Sequence, residues 1–231
     1  MKRIALSLSL SLMMLAAPVS AETSAYFCTD TGTSLCYVRR YAADGSVKWH
    51  HRMTIESVTD SGNGDVCVDY TSDFRKAGGR QMYGGPVSLK IVVDESGTVG
   101  LDMSSSLVSI FHNLFPRLKA TGRGGLTYLP SDMKAGDVLP DIVSSVKAVG
   151  IECTVTVADR HVIGPDTLTV KAGTFPCVVV SEHKVEKATG YSRVTTARTW
   201  YCRGVGMVRH DTYDRNMKLE TIEELEEIEI P

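Results

Sequence analysis

The 231-residue chain predicts a mainly β, α+β protein with a single helix. Three observations carry that expectation: apolar runs of strand length punctuated by hairpin-type turns, one isolated stretch of helical periodicity, and an even set of cysteines behind an export leader. The leader is "MKRIALSLSLSLMMLAAPVSA", with Lys2 and Arg3, an apolar run and a small-residue site ending in Ala21. It predicts a signal peptide over residues 1–21, cleaved before Glu22, and a periplasmic or secreted product. No cysteine follows the cut, so a lipid anchor is not expected. The apolar run is short for a membrane span, and no transmembrane segment is expected in the mature chain.

Residues 22–231 suit a single β-rich domain with enough chain to bury a core. "TSLCYVRRYAADGSVKWHHRMTIESV" reads as a hairpin around Asp44-Gly45, because that dipeptide accepts the left-handed angles of a tight turn. "DSGNG" at 60–64 turns the chain into "DVCVDY", and "SLKIVVDESGTVGLDM" breaks at Ser96-Gly97. Between about 103 and 119 the period changes. Leu107, Ile110, Phe111, Leu114, Phe115 and Leu118 recur at three and four residues, one face of a helix that Pro116 ends or kinks. Residues 121–141, rich in Gly, Pro and Asp, read as a loop crossing between sheet segments. Four further strand-like segments follow, from "ECTVTVADRHVIG" to "GMVRHDTYD". The acidic ending "KLETIEELEEIEIP" has both helical and strand features; a last strand with a solvated acidic face is the favoured reading.

All six cysteines lie beyond the leader, and an exported compartment favours disulfides. A two-residue hairpin loop at Thr189-Gly190 would bring Cys177 directly opposite Cys202, at a position where side chains come closest and a cross-strand bond fits. A three-residue bulged loop would instead put the two on opposite faces. Cys28 and Cys36 flank "TDTGTSL" closely enough to be bridged, while Cys67 and Cys153 have no assigned partner.

Candidate chemistry is sparse. No cysteine pair has zinc-knuckle spacing, and neither a nucleophile elbow nor a phosphate loop occurs. His183 lies six residues after Cys177, roughly 20 Å along a strand at about 3.3 Å per residue, too far to serve that thiol as a base. His50 and His51 would point to opposite faces of a strand and are read as surface residues. Loop aspartates are read as turn formers. No metal, cofactor or catalytic residue is therefore expected. Without its leader the chain carries 23 basic and 27 acidic residues, which offers nothing to nucleic acid or an anionic membrane.

"YLPSDMKAGDVLPD" (128–141), "LTVKAGTFPCVVV" (168–180) and "TWYCRGVGMVRHDTYDRNMKLE" (199–220) resemble successive motifs of the TapB family, exported bacterial proteins of the domain-of-unknown-function 3108-like class. The resemblance runs from about Gly32 to the end. It implies a curved antiparallel sheet, a half-barrel partly wrapped around one helix and loops, similar in outline to the lipoprotein carriers LolA and LolB. It carries no catalytic residues across. Cys202, where a small residue is expected, and the acidic ending are departures.

The leading functional expectation is an exported, non-catalytic protein that binds an apolar small molecule or lipid in the concave face of the sheet, lined by Leu107, Ile110, Phe111, Leu114 and Phe115. The alternative is a structural or protein-interaction module of the cell envelope, docking through a patch such as Tyr37, Tyr41 and Trp49. A hydrolase ranks third; His, Asp and Ser or Cys converging in one cleft would support it.

Overall fold

The computed structural model describes residues 25–148 and 150–231; the leader at 1–21 lies outside the described residues. The elements run β1 (Ser34–Tyr41), β2 (Val47–Asp60), β3 (Val66–Lys76), β4 (Val87–Val93), β5 (Val99–Asp102), α1 (Met103–Leu114), β6 (Thr121–Gly124) and β7 (Leu126–Leu129). They continue through β8 (Ile142–Ala148), β9 (Ile151–Val170), β10 (Gly173–Ala188), β11 (Tyr191–Cys202), β12 (Gly206–Tyr213) and β13 (Leu219–Glu229). All thirteen strands form one antiparallel, nearly closed barrel-like sheet in the order β6-β8-β9-β10-β11-β12-β13-β1-β2-β3-β4-β5-β7.

The turn chemistry places the hairpins where the sequence predicts them. Asp44 Oδ1 accepts from Ser46 N at 3.0 Å in the β1–β2 turn, and Asp94 Oδ1 accepts from Ser96 N at 2.9 Å in the β4–β5 turn. The β10–β11 loop has two residues, with Gly190 at a φ of 73°, and its ladder runs without a register shift from Ala188↔Tyr191 to Cys177↔Cys202. The two cysteines do face each other, and both are buried. All six cysteines are thiols in the structure. Cys28 is buried in the core, whereas Cys36 donates to Glu229 Oε1 at 3.7 Å, so the expected Cys28–Cys36 bridge is not formed.

Helix α1 is shorter than its periodicity suggests. Asp102 caps its start, accepting from Ser104 N at 2.9 Å and Ser105 N at 3.1 Å. It stops before Phe115, because a residue preceding proline is driven out of helical angles. The helix packs on β4 near one end of the sheet and on β6 and β8 at the other, so it spans the seam rather than lying on one face. Gly122 makes that approach feasible: a Cβ there would sit 2.9 Å from Val108 Cγ2 and 3.0 Å from Ser104 O.

Two expectations need correction. The 121–141 segment holds two short edge strands, β6 and β7, separated only by Gly125, and β8 follows it. The acidic ending is a strand as favoured, but its acidic residues do not all face solvent: Glu223 is 4 % exposed and shares a face with buried Leu225.

Candidate functional site

Strand alternation sends one side chain in two from each strand into the barrel. Leu35 and Tyr37 from β1, Met53 and Ile55 from β2, Val68 and Tyr70 from β3 and Ile91 from β4 meet there with Val208 and Leu225. These inward side chains leave a cavity of about 190 Å³. Its apolar wall includes Met53, Ile91, Val99, Leu101, Leu129 and Met207, and its aromatic wall Tyr37, Tyr70, Tyr128 and Tyr201. The segment before β1 closes one side with Tyr26 and Phe27, the latter edge-on to Tyr70 with centroids 5.3 Å apart. Gly204 N donates to Ala25 O at 2.9 Å and ties that segment to the β11–β12 turn.

Two polar groups stand out in this wall. Arg160 of β9 is 4 % exposed; its Nη1 donates to Pro140 O at 3.0 Å, and its Nε lies 3.5 Å from Glu182 Oε2. That Nε has no hydrogen-bond partner among the described residues. Burial raises the Glu182 carboxyl above its ordinary range, against the opposing charges of Arg160 and Lys184. Burial, reinforced by Glu182, also raises the Tyr201 phenol, so Tyr201 stays protonated. His51 is the second group. Its ring stacks on Tyr37 at 5.2 Å and on Phe74 at 4.1 Å, which overturns its reading as a surface residue.

Behind His51 lies a charge cluster built on Glu223. Arg39 Nε donates to Glu223 Oε2 at 2.8 Å, and Trp49 Nε1 donates to Oε1 at 3.4 Å. His51 Nδ1 is 3.4 Å from the same Oε1, while its Nε2 lies 3.2 Å from Ser72 Oγ. Burial pushes Glu223 up, but the His51 hydrogen bond and the Arg39 charge outweigh it and hold the carboxyl at about 2. Desolvation and the Arg39 charge push His210, opposite Glu223 in the β12–β13 ladder, down to about 3. His210 is therefore neutral, and its Nδ1 is 2.8 Å from Thr199 Oγ1.

None of the five helical residues expected to line a ligand site, Leu107, Ile110, Phe111, Leu114 and Phe115, is among those walling the cavity. Leu107, Ile110 and Phe111 are half-buried on α1, and Leu114 and Phe115 are exposed at 43 % and 48 %. Of the expected docking patch, Tyr37 is buried, Trp49 is half-buried and Tyr41 is exposed.

A family model described as DUF3108-like matches residues 30–225. The chain belongs to the DUF3108-like family. No curated protein matches it significantly. Two solved structures share its fold. One, from Bacteroides fragilis, is provisionally described as an exported protein with a YmcC-like fold; it aligns at a TM-score of 0.71 and 19 % identity, over 88 % of this chain and 98 % of that one. The other, from Parabacteroides distasonis, is provisionally described as a lipoprotein, with a TM-score of 0.72, 18 % identity and the same two coverages. The match upholds the DUF3108-like part of the sequence resemblance; neither the TapB name nor the LolA and LolB outline is carried by it. Among the described residues of this DUF3108-like chain, no helix is long and apolar enough to cross a membrane.

The Glu223 cluster makes the fold acid-sensitive. The ordinary values are 4.5 for Glu223 and 6.5 for His210, and both are lowered in the folded protein. The unfolded chain therefore binds more protons than the folded one between about pH 6.5 and 2, and stability falls as pH falls through that window. Urea midpoints measured from pH 7.5 down to 3 are expected to drop steadily. Glu223→Gln, which strands the Arg39 charge, is expected to cost about 3–5 kcal/mol at neutral pH and to flatten the acid limb below pH 4.5.

Proposed function

We propose that this DUF3108-like protein is an exported, non-catalytic binding protein that takes a small apolar or lipid-like group into the interior of its barrel. The observation that carries the reading is the cavity itself: about 190 Å³, walled mainly by apolar and aromatic side chains. Ligand pockets typically run from about 300 to 1,000 Å³, so this one suits a short chain or the end of a longer one. Export is supported by the leader and by the descriptions given to the two structural neighbours. Exposed Leu114, Phe115 and Leu118, at and beyond the end of α1, favour an envelope docking module as the alternative.

Ser72, His51 and Glu223 favour a second, hydrolytic reading, since serine, histidine and carboxylate follow one another as in an acyl-transfer relay. Against it, Ser72 is 3 % exposed and is not among the residues walling the cavity, so its Oγ has no substrate-sized space before it. We read the relay as an internal polar bolt that satisfies buried groups.

Three measurements follow from this reading. Native mass spectrometry of the mature protein taken from its own envelope, with organic extraction, is expected to show a co-purifying apolar molecule. Leu101→Trp, which fills the cavity, is expected to abolish uptake of 1-octanol while leaving the far-UV spectrum intact; a wild-type protein that takes up no apolar probe would overturn the proposal. Turnover of short p-nitrophenyl esters is expected to be no higher than for Ser72→Ala, and a Ser72-dependent rate would install the hydrolase instead. In the oxidising envelope, Cys177 and Cys202 are expected to cross-link. The facing thiol and burial hold Cys177 above its ordinary value, and the two thiols titrate as a pair. Thiol titration with and without reductant should differ by the two groups, and Cys202→Ser should remove that difference at a cost of about 2–4 kcal/mol.

A further inference from the structure

The ladder between β9 and β10 is not regular where Arg160 sits. Ser181 pairs with His161 and His183 with Ala158, so Asp159 and Arg160 together face Glu182 alone. This is a β-bulge, and Asp159 takes a φ of 52°, a backbone conformation costly for a non-glycine residue. A bulge re-aims a side chain. Here it sets Arg160 beside Glu182 and into the cavity wall.

An arginine cannot shed its proton, and its guanidinium brings five donors. Buried against an apolar cavity, that charge needs a partner. The protein supplies Pro140 O to Nη1 and leaves Nε without a hydrogen bond. The contact with Pro140 explains how Arg160 fixes the segment before β8, but it engages only one donor. Glu182 Oε2 stands 3.5 Å from Nε, close enough for an ion pair but without a hydrogen bond to it, so the pairing is incomplete. Tyr201, also in the wall, adds a hydroxyl donor.

We infer that the cavity selects short-chain amphiphiles with a carboxylate head, received by Arg160 and Tyr201, with the chain running toward Met53, Ile91 and Leu101. This rests on the proposed apolar-binding reading and adds the head group to it. The guanidinium fork matches a carboxylate in bidentate fashion, and a ligand carboxylate would complete the pairing that Glu182 leaves incomplete.

The test compares octanoate with 1-octanol, equal in chain length, by isothermal titration of the mature full-length protein at neutral pH. Octanoate is expected to bind at least about tenfold more tightly, the scale of one charge-assisted hydrogen bond. Arg160→Gln should remove the preference for octanoate over 1-octanol, and Arg160→Lys should recover part of it. Glu182→Gln, which keeps the site's shape and removes the competing carboxylate, should tighten octanoate binding. Should Arg160→Gln fail to fold, the Glu182→Gln result decides: unchanged octanoate affinity counts against the assignment. Equal wild-type affinity for the two probes overturns the carboxylate assignment and leaves the apolar cavity standing. Binding of neither overturns both.

Discussion

A single sheet that curls until its edges approach must dispose of two rows of unpaired backbone groups, and this constraint shapes the rest of the molecule. The edges are β6 and β7, and the chain passes from one to the other through Gly125 alone. Hydrogen bonds do not close the seam; α1 does, bearing on β4 from one side and on β6 and β8 from the other. Its close seat on Gly122 explains why so short a helix suffices. Its modest burial, with Ser104 its only buried residue, follows from lying across a gap rather than inside a core.

Closure turns one face of every strand inward, and the interior then has to accommodate whatever the alternation delivers. Near the N-terminal segment it delivers methionine, isoleucine, valine and tyrosine, and a cavity results. Further along the same strands it delivers Arg39, Trp49, His51, His210 and Glu223, which satisfy one another. His51 belongs to both regions, with one nitrogen toward Glu223 and its ring stacked on Tyr37, whose hydroxyl donates to Met207 O at 2.9 Å. The cavity and the charge cluster thus share a wall, and the rigid cluster helps hold the cavity's aromatic side in place.

The parts of the fold legible in the sequence are those set by local turn chemistry. The two-residue loop at Thr189-Gly190 fixes the register of a bulge-free ladder, and so places Cys177 opposite Cys202 eleven pairs away. The site was not legible, for two physical reasons. His51 and Glu223 are polar residues on apolar faces: Trp49, His51, Met53 and Ile55 alternate inward, as do Glu223 and Leu225, but a charged or imidazole side chain reads as solvated until its partners on distant strands are known. Arg160 is hidden by the bulge, which interrupts the period of two on which any assignment of facing depends. Pro165 conceals that β9 continues unbroken to Val170. The helical stripe of Leu107 to Phe115 was legible as a helix; its place over the seam depends on which strands become edges, a property of the whole sheet.

The same closure determines how well each part of the cavity wall is held. Tyr37, Met53, Tyr70 and Tyr201 sit on strands of eight to fourteen residues paired on both sides. Thr127, Tyr128 and Leu129 sit on β7, four residues long and hydrogen-bonded to β5 alone. Moving any other wall strand means unpairing two ladders, whereas moving β7 means unpairing one short ladder next to Gly125, around which the space is open. Tyr128 is already 45 % exposed while it lines the cavity, so its ring lies between solvent and interior. Local opening follows the segment with the fewest backbone bonds and buried contacts, and here that segment is the wall on the side of the seam. A sheet that never completes its ladder keeps a yielding wall at its edge, while the bulge that positions Arg160 lies between strands paired on both sides and is not disturbed when that edge moves.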